Sequence, residues 1–174
     1  MLRHILVPLD GSALAEEALP WAQQVVRPEG KVTLVTALHL PDVLSPTMSN
    51  AAPRSRMELD IASFKDYSRW EERVTEDAYR YLGRIADSFK KSKAVTIEVV
   101  IASGDPATLI IETAQQHRVD SIVMSTHGRS GLQRWLFGSV AVKVLESRVC
   151  PVFLIPGKAT ERASEPARVA ILGT

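Results

Sequence analysis

Five short apolar runs, alternating with stretches of helical spacing, constrain this chain more than any other feature. They are Ile5–Leu9, Val32–Leu38, Val95–Ile101, the run within 120–125, and Val152–Ile155. Near-continuous apolar runs of this length suit strands covered on both faces, as in a parallel sheet. Between them the spacing changes to that of helices. Leu14, Ala15, Ala18, Leu19, Ala22, Val25 and Val26 recur on one helical face, after an N-cap candidate in Ser12. Pro20 predicts a kink within that one helix, and Pro28-Glu29-Gly30 predicts its end. Ser68-Arg69-Trp70-Glu71 reads as a capping box that starts a second helix, with Val74, Ala78, Leu82, Ile85 and Phe89 along one face. Asp105-Pro106 opens a third, lined by Leu109, Ile110, Thr113, Ala114 and His117. A fourth is expected over 138–147, marked by Val140, Val144 and Leu145. The order β-α-β-α-β-α-β-α-β predicts an α/β fold, a parallel sheet with helices on both faces.

The 174 residues are expected to form a single domain over 1–156, followed by a flexible tail over 157–174. Residues 41–66 carry three prolines and several serines, which predicts a mobile loop holding at most a short helix from Met57 to Phe64. A net charge of +1 offers nothing to attract nucleic acid or an anionic membrane surface. The single cysteine, Cys150, cannot form an intrachain disulfide and suits a reducing compartment. The first residues enter a strand pattern without a signal-peptide signature, and no apolar stretch reaches the ~20 residues of a membrane span. The expected location is therefore the cytoplasm.

In a parallel α/β sheet, ligands bind beyond the carboxyl ends of the strands, where the winding reverses. That rule places Asp10 and Ser125 to Gly128 on one rim. The segment from Met124 to Val140 is a glycine-bearing loop between a strand and a helix start. Backbone N–H groups and the helix dipole can attract phosphate at such a place. Other chemistries lack their signatures. Gly157-Lys158 has no upstream glycine and no following Ser or Thr, so it is not a Walker A loop. The first strand is not followed by Gly-x-Gly-x-x-Gly, no Gly-x-Ser-x-Gly elbow occurs, and no His, Cys and carboxylate residues have metal-ligand spacing. No acid–base pair stands out.

Gly128, nine residues, then Gly138-Ser139 resembles the phosphate and ribose loop of the universal stress protein family. In that pattern a further glycine stands three residues before the first of these, where this chain has Ser125. Pro8-Leu9-Asp10-Gly11-Ser12, Gly104-Asp105-Pro106 and Cys150-Pro151-Val152 also resemble the family's short motifs, so the likeness spans roughly 4–156. The resemblance implies a Rossmann-like, adenine nucleotide alpha hydrolase-like sheet of five parallel strands. It implies ATP, with Mg2+ on its phosphates, and no catalytic residue beyond slow ATP hydrolysis. By the same resemblance Asp10 lies near the ribose, with Pro8 and Leu9 at the strand end, and the Ala37 backbone meets the adenine edge. Met124, Ser125, His127, Gly128, Arg129, Gly138, Ser139 and Val140 then surround the nucleotide. It further implies a homodimer through Val152, Phe153, Leu154 and Ile155.

Each residue also has a plainer reading. Gly128 and Gly138 can be turns, Asp10 a turn residue beside Gly11, Ala37 simple core, and His127 and Arg129 surface side chains. Leu132, Trp135 and Leu136 have the spacing of a short helix packing on the domain rather than of a base-stacking platform. His4, His39 and His117 read as scattered structural or exposed residues. Ser139 can both donate to phosphate and cap the last helix. Two functions follow: a nucleotide-responsive stress or signalling module, whose ligand orders the 41–66 loop, and a dimeric interaction protein that keeps the fold without the ligand. Ser125 is the feature that favours the second. An adenylating enzyme of similar fold would need a Ser-Gly-Gly-type loop, which Pro8-Leu9-Asp10-Gly11 does not supply.

Overall fold

The computed structural model describes residues 1–38, 53–126 and 138–157, with the side chains of 53–67 outside the description. The strands are β1 (Leu2–Pro8), β2 (Val26–Leu38), β3 (Thr96–Ser103), β4 (Ser121–Thr126) and β5 (Val152–Pro156). The helices are α1 (Ala13–Glu16), α2 (Leu19–Val25), α3 (Pro53–Ser92), α4 (Pro106–Gln116) and α5 (Ser139–Ser147). All strand pairs are parallel, in the order β3-β2-β1-β4-β5. The chain thus winds outward from β1 through β2 to β3, then crosses back to lay β4 and β5 on the other side. The reversal falls between β1 and β4.

Alternation along the strands splits the core into two layers. Ile5, Val7, Leu34 and Val123 face α1, α2 and α3, where Ala18, Ala22, Leu82, Ala86 and Phe89 complete the packing. Leu6, Val35, Ile122 and Met124 face α4 and α5, against Ala107, Ile110, Ala114, Ala141 and Val144. Both faces of the central strands are therefore dry, which explains their unbroken apolar runs.

Three local expectations need correction. The single helix expected after β1 is two. Glu17 and Ala18 bond back three residues, to Leu14 and Ala15, and close α1. Pro20 lacks the N–H that would continue the ladder and sits instead in the first turn of α2. Pro28-Glu29-Gly30 does not end a helix but lies inside β2, where the register against β1 shifts between Leu2 and His4. Gly30 fits there because a Cβ would come within 2.9 Å of the Arg3 and Arg27 carbonyl oxygens. Finally, α3 starts at Pro53, so Ser68 is inside the helix and does not cap it. Much of the 41–66 segment is thus helical, well beyond Met57–Phe64, while 41–52 lie outside the described residues.

Candidate functional site

At the reversal point, the carboxyl ends of β1, β2 and β4 and the N-termini of α1, α4 and α5 enclose a cleft of ≈ 180 Å³. Nine of the residues singled out from sequence line it together: Pro8, Leu9, Asp10, Ala37, Met124, Ser125, Gly138, Ser139 and Val140. His127, Gly128 and Arg129 lie outside the described residues, as do Leu132, Trp135 and Leu136. Ser12, Leu14, Ala15, Val35, Pro106, Ile110 and Ala141 also line the cleft and were missed. Val35 had a readable signal, since it shares the strand face of Ala37. Pro106 and Ile110 come from a helix whose position only the strand order reveals.

The floor is set by backbone pairing. Leu9 N–H donates to the Val35 carbonyl at 2.9 Å, and the buried Thr36 hydroxyl donates to the Leu9 carbonyl at 2.8 Å. The chain then turns at Gly11, whose φ of 79° is a left-handed conformation suited to glycine. Asp10 Oδ1 accepts from the Ser12 N–H at 2.9 Å and from the Ser12 hydroxyl at 2.6 Å. Ser12 Oγ in turn accepts from the Ala15 N–H at 3.1 Å and caps α1, as its sequence position predicts. One carboxylate oxygen of Asp10 is thus spent on the turn. Among the described residues, no hydrogen bond occupies the other. Asp10 is also the one ionisable group among the described lining residues.

The start of α5 also lines the cleft. Gly138, not Ser139, holds the N-cap position, and among the described residues no side chain caps this end. The first ladder bond runs from the Val142 N–H to the Gly138 carbonyl at 3.0 Å, so the N–H groups of Ser139, Val140 and Ala141 have no helical partner. Such an end attracts an anion. The neighbouring α4 is capped conventionally: Asp105 Oδ1 accepts from the N–H and hydroxyl of Thr108, each at 2.9 Å. Those bonds, and Lys143 Nζ of α5 at 3.3 Å, hold the Asp105 carboxyl below its ordinary range. The same Lys143 contact links the start of α4 to the middle of α5. Among the described residues, no group of three His, Cys, Asp or Glu could hold a metal ion.

The family profile described as "Universal stress protein family" matches residues 1–156. The chain belongs to the universal stress protein family. Universal stress protein MJ0531 of Methanocaldococcus jannaschii is 30% identical over 155 residues, spanning 89% of this chain and 82% of that protein. The solved structure of MJ0577 from the same organism superposes with a TM-score of 0.69 at 23% identity, covering 91% of this chain and 98% of the other. A universal stress protein family member from Arabidopsis thaliana, solved with AMP bound, superposes with a TM-score of 0.60 at 19% identity, over 94% and 97% of the two chains. These structures share this universal stress protein's Rossmann-like α/β fold. No described helix is long and apolar enough to cross a membrane.

Proposed function

We propose that this universal stress protein binds an adenine nucleotide in the cleft and acts as a nucleotide-responsive stress or signalling module in the cytoplasm. The uncapped start of α5, at Gly138 and beside the cleft, carries this reading. The phosphates bind the N–H groups of its first turn, which have no helical partner, and the Ser139 hydroxyl. His127, Gly128 and Arg129, outside the described residues, belong to the same phosphate-binding set. Oδ2 of Asp10 accepts from the ribose hydroxyls, and the Ala37 backbone meets the adenine edge. The bound AMP of the Arabidopsis protein supports the ligand class. ATP is the nucleotide proposed, with Mg2+ carried on its phosphates rather than on protein carboxylates. Titration calorimetry with ATP, with and without Mg2+, should give micromolar affinity, whereas no heat at millimolar nucleotide would refute the reading.

A second reading, a dimeric interaction protein without a ligand, is favoured by Ser125. Its side chain takes up room in the cleft where the family pattern has glycine. Both readings include a homodimer through β5. That strand is an edge of the sheet, so its outer N–H and C=O groups need a partner. Phe153 is 43% exposed on it, with Val152 and Leu154 half-buried; Ile155 turns into its own core and offers only backbone. Sedimentation at micromolar concentration should show a dimer that Phe153→Asp converts to monomer; a monomeric wild-type chain would count against this interface.

A further inference from the structure

Where β1 ends against β2, a side chain replaces a backbone bond. The Val35 carbonyl accepts from the Leu9 N–H at 2.9 Å, so the backbone polar groups of Val35 point at β1. Successive residues of a strand point theirs to opposite sides. Those of Thr36 therefore serve β3, where it pairs with Ile101, and those of Ala37 point to the β1 side again. One further step of the ladder would send the Ala37 N–H to the Leu9 carbonyl. Among the described residues that bond is absent. The Leu9 carbonyl accepts instead from the Thr36 hydroxyl at 2.8 Å, and both residues are buried.

The Ala37 backbone is left without a strand beside it. β1 stops at Pro8 and the chain turns away at Gly11, so the Ala37 N–H and C=O face the cleft that Ala37 lines. The Leu9 carbonyl decides whether they stay there. A buried acceptor left without a donor is costly. Without the Thr36 hydroxyl, the next donor along the ladder is the Ala37 N–H, and taking it would carry the pairing of β1 with β2 one bond further.

We propose that Thr36 is a positioning residue for base recognition: its hydroxyl satisfies the Leu9 carbonyl and so keeps the Ala37 N–H free for the ring nitrogen of an adenine. The free amide stands on the bonding pattern alone; its use by a base rests on the nucleotide reading. An N–H and a C=O on one residue match adenine, which presents an acceptor nitrogen next to an amino donor. Hypoxanthine presents the reverse, a ring N–H next to a carbonyl oxygen, so donor meets donor and acceptor meets acceptor. A mismatch that leaves such groups unpaired discriminates between bases of nearly equal size.

Hydrogen exchange of the Ala37 amide, in protein freed of nucleotide, tests the bonding pattern. The amide should be unprotected in wild type and in Thr36→Ser, which keeps the hydroxyl. It should gain at least about tenfold protection in Thr36→Val, where the ladder takes it up. Protection already present in wild type, or unchanged in Thr36→Val, would overturn the proposal.

Titrations with ATP and inosine triphosphate (ITP) test the base role. Wild type and Thr36→Ser should bind ATP at least about tenfold more tightly than ITP. In Thr36→Val, ATP should weaken by about tenfold and ITP by less than about twofold, so the preference disappears. Equal weakening of the two nucleotides would overturn the base role, because a merely structural loss lowers both alike. Should Thr36→Val fail to fold, the wild-type amide decides: unprotected alone and protected under saturating ATP supports the proposal, and no protection with ATP bound overturns it. If wild type binds neither nucleotide, the nucleotide reading fails and the base role with it, while the exchange result still reports the Thr36–Leu9 bond.

Discussion

Gly138→Val should remove nucleotide binding while leaving the fold in place, with affinity weakened at least about 100-fold, or about 2.7 kcal/mol. The backbone at Gly138, with φ −58° and ψ 152°, is one that valine adopts without strain. On the backbone alone, its cost to the fold is that of a poorer N-cap, about 1 kcal/mol. Its cost to the ligand is larger. Two methyl groups at the mouth of α5 occupy the space where phosphate must approach unpaired N–H groups. Gly138→Ala should fall between the two. Calorimetry read beside the urea midpoint separates binding from stability. Unchanged affinity in a folded Gly138→Val protein would mean that the cleft is not the nucleotide site.

Phe89→Ala should be the most damaging single change to stability, at about 3–5 kcal/mol in urea unfolding. Phe89 is 1% exposed and is the largest fully buried side chain among the described residues. It belongs to the layer built from Leu82, Ala86, Val26 and Val32, and it anchors the C-terminal end of α3 against the sheet. Beside it, Lys93 Nζ donates to the carbonyls of Gln23 and Val26 where α2 ends. Truncation would leave a void that these neighbours cannot close, because both the strand and the helix are fixed by their own hydrogen bonds. Such a loss is a large share of the ~5–15 kcal/mol that holds a typical domain folded. A loss under about 1 kcal/mol would show that α3 is not seated as described.

The strands were legible because a parallel sheet covered on both faces imposes continuous apolar runs, as in Ile5–Leu9 and Val32–Leu38. The early start of β2 was not. Arg27-Pro28-Glu29-Gly30 is polar and turn-rich, and only its neighbours β1 and the Ala94 carbonyl, which accepts from Glu29, draw it into the sheet. Ser68 misled for a related reason. A capping box is a local signal, while helix propagation past it costs little once a nucleus exists, and nothing between Arg54 and Tyr67 breaks the ladder. Asp10, Ser125 and Gly138 were readable because each marks the end of an element on the same rim. The role of Ile110 required knowing that β1 lies between β2 and β4. His4 and His117, far apart in sequence and read as scattered, meet for the same reason. Tertiary neighbours of this kind leave no periodic trace in the chain.

The most direct test of the account is to denature freshly purified protein and identify the released small molecules by mass spectrometry. ATP, or the AMP and ADP derived from it, should be released in near-stoichiometric amount from wild type, and none from Gly138→Val. Wild-type protein that releases no adenine nucleotide, and that takes up none when ATP is supplied at millimolar concentration before purification, would contradict it.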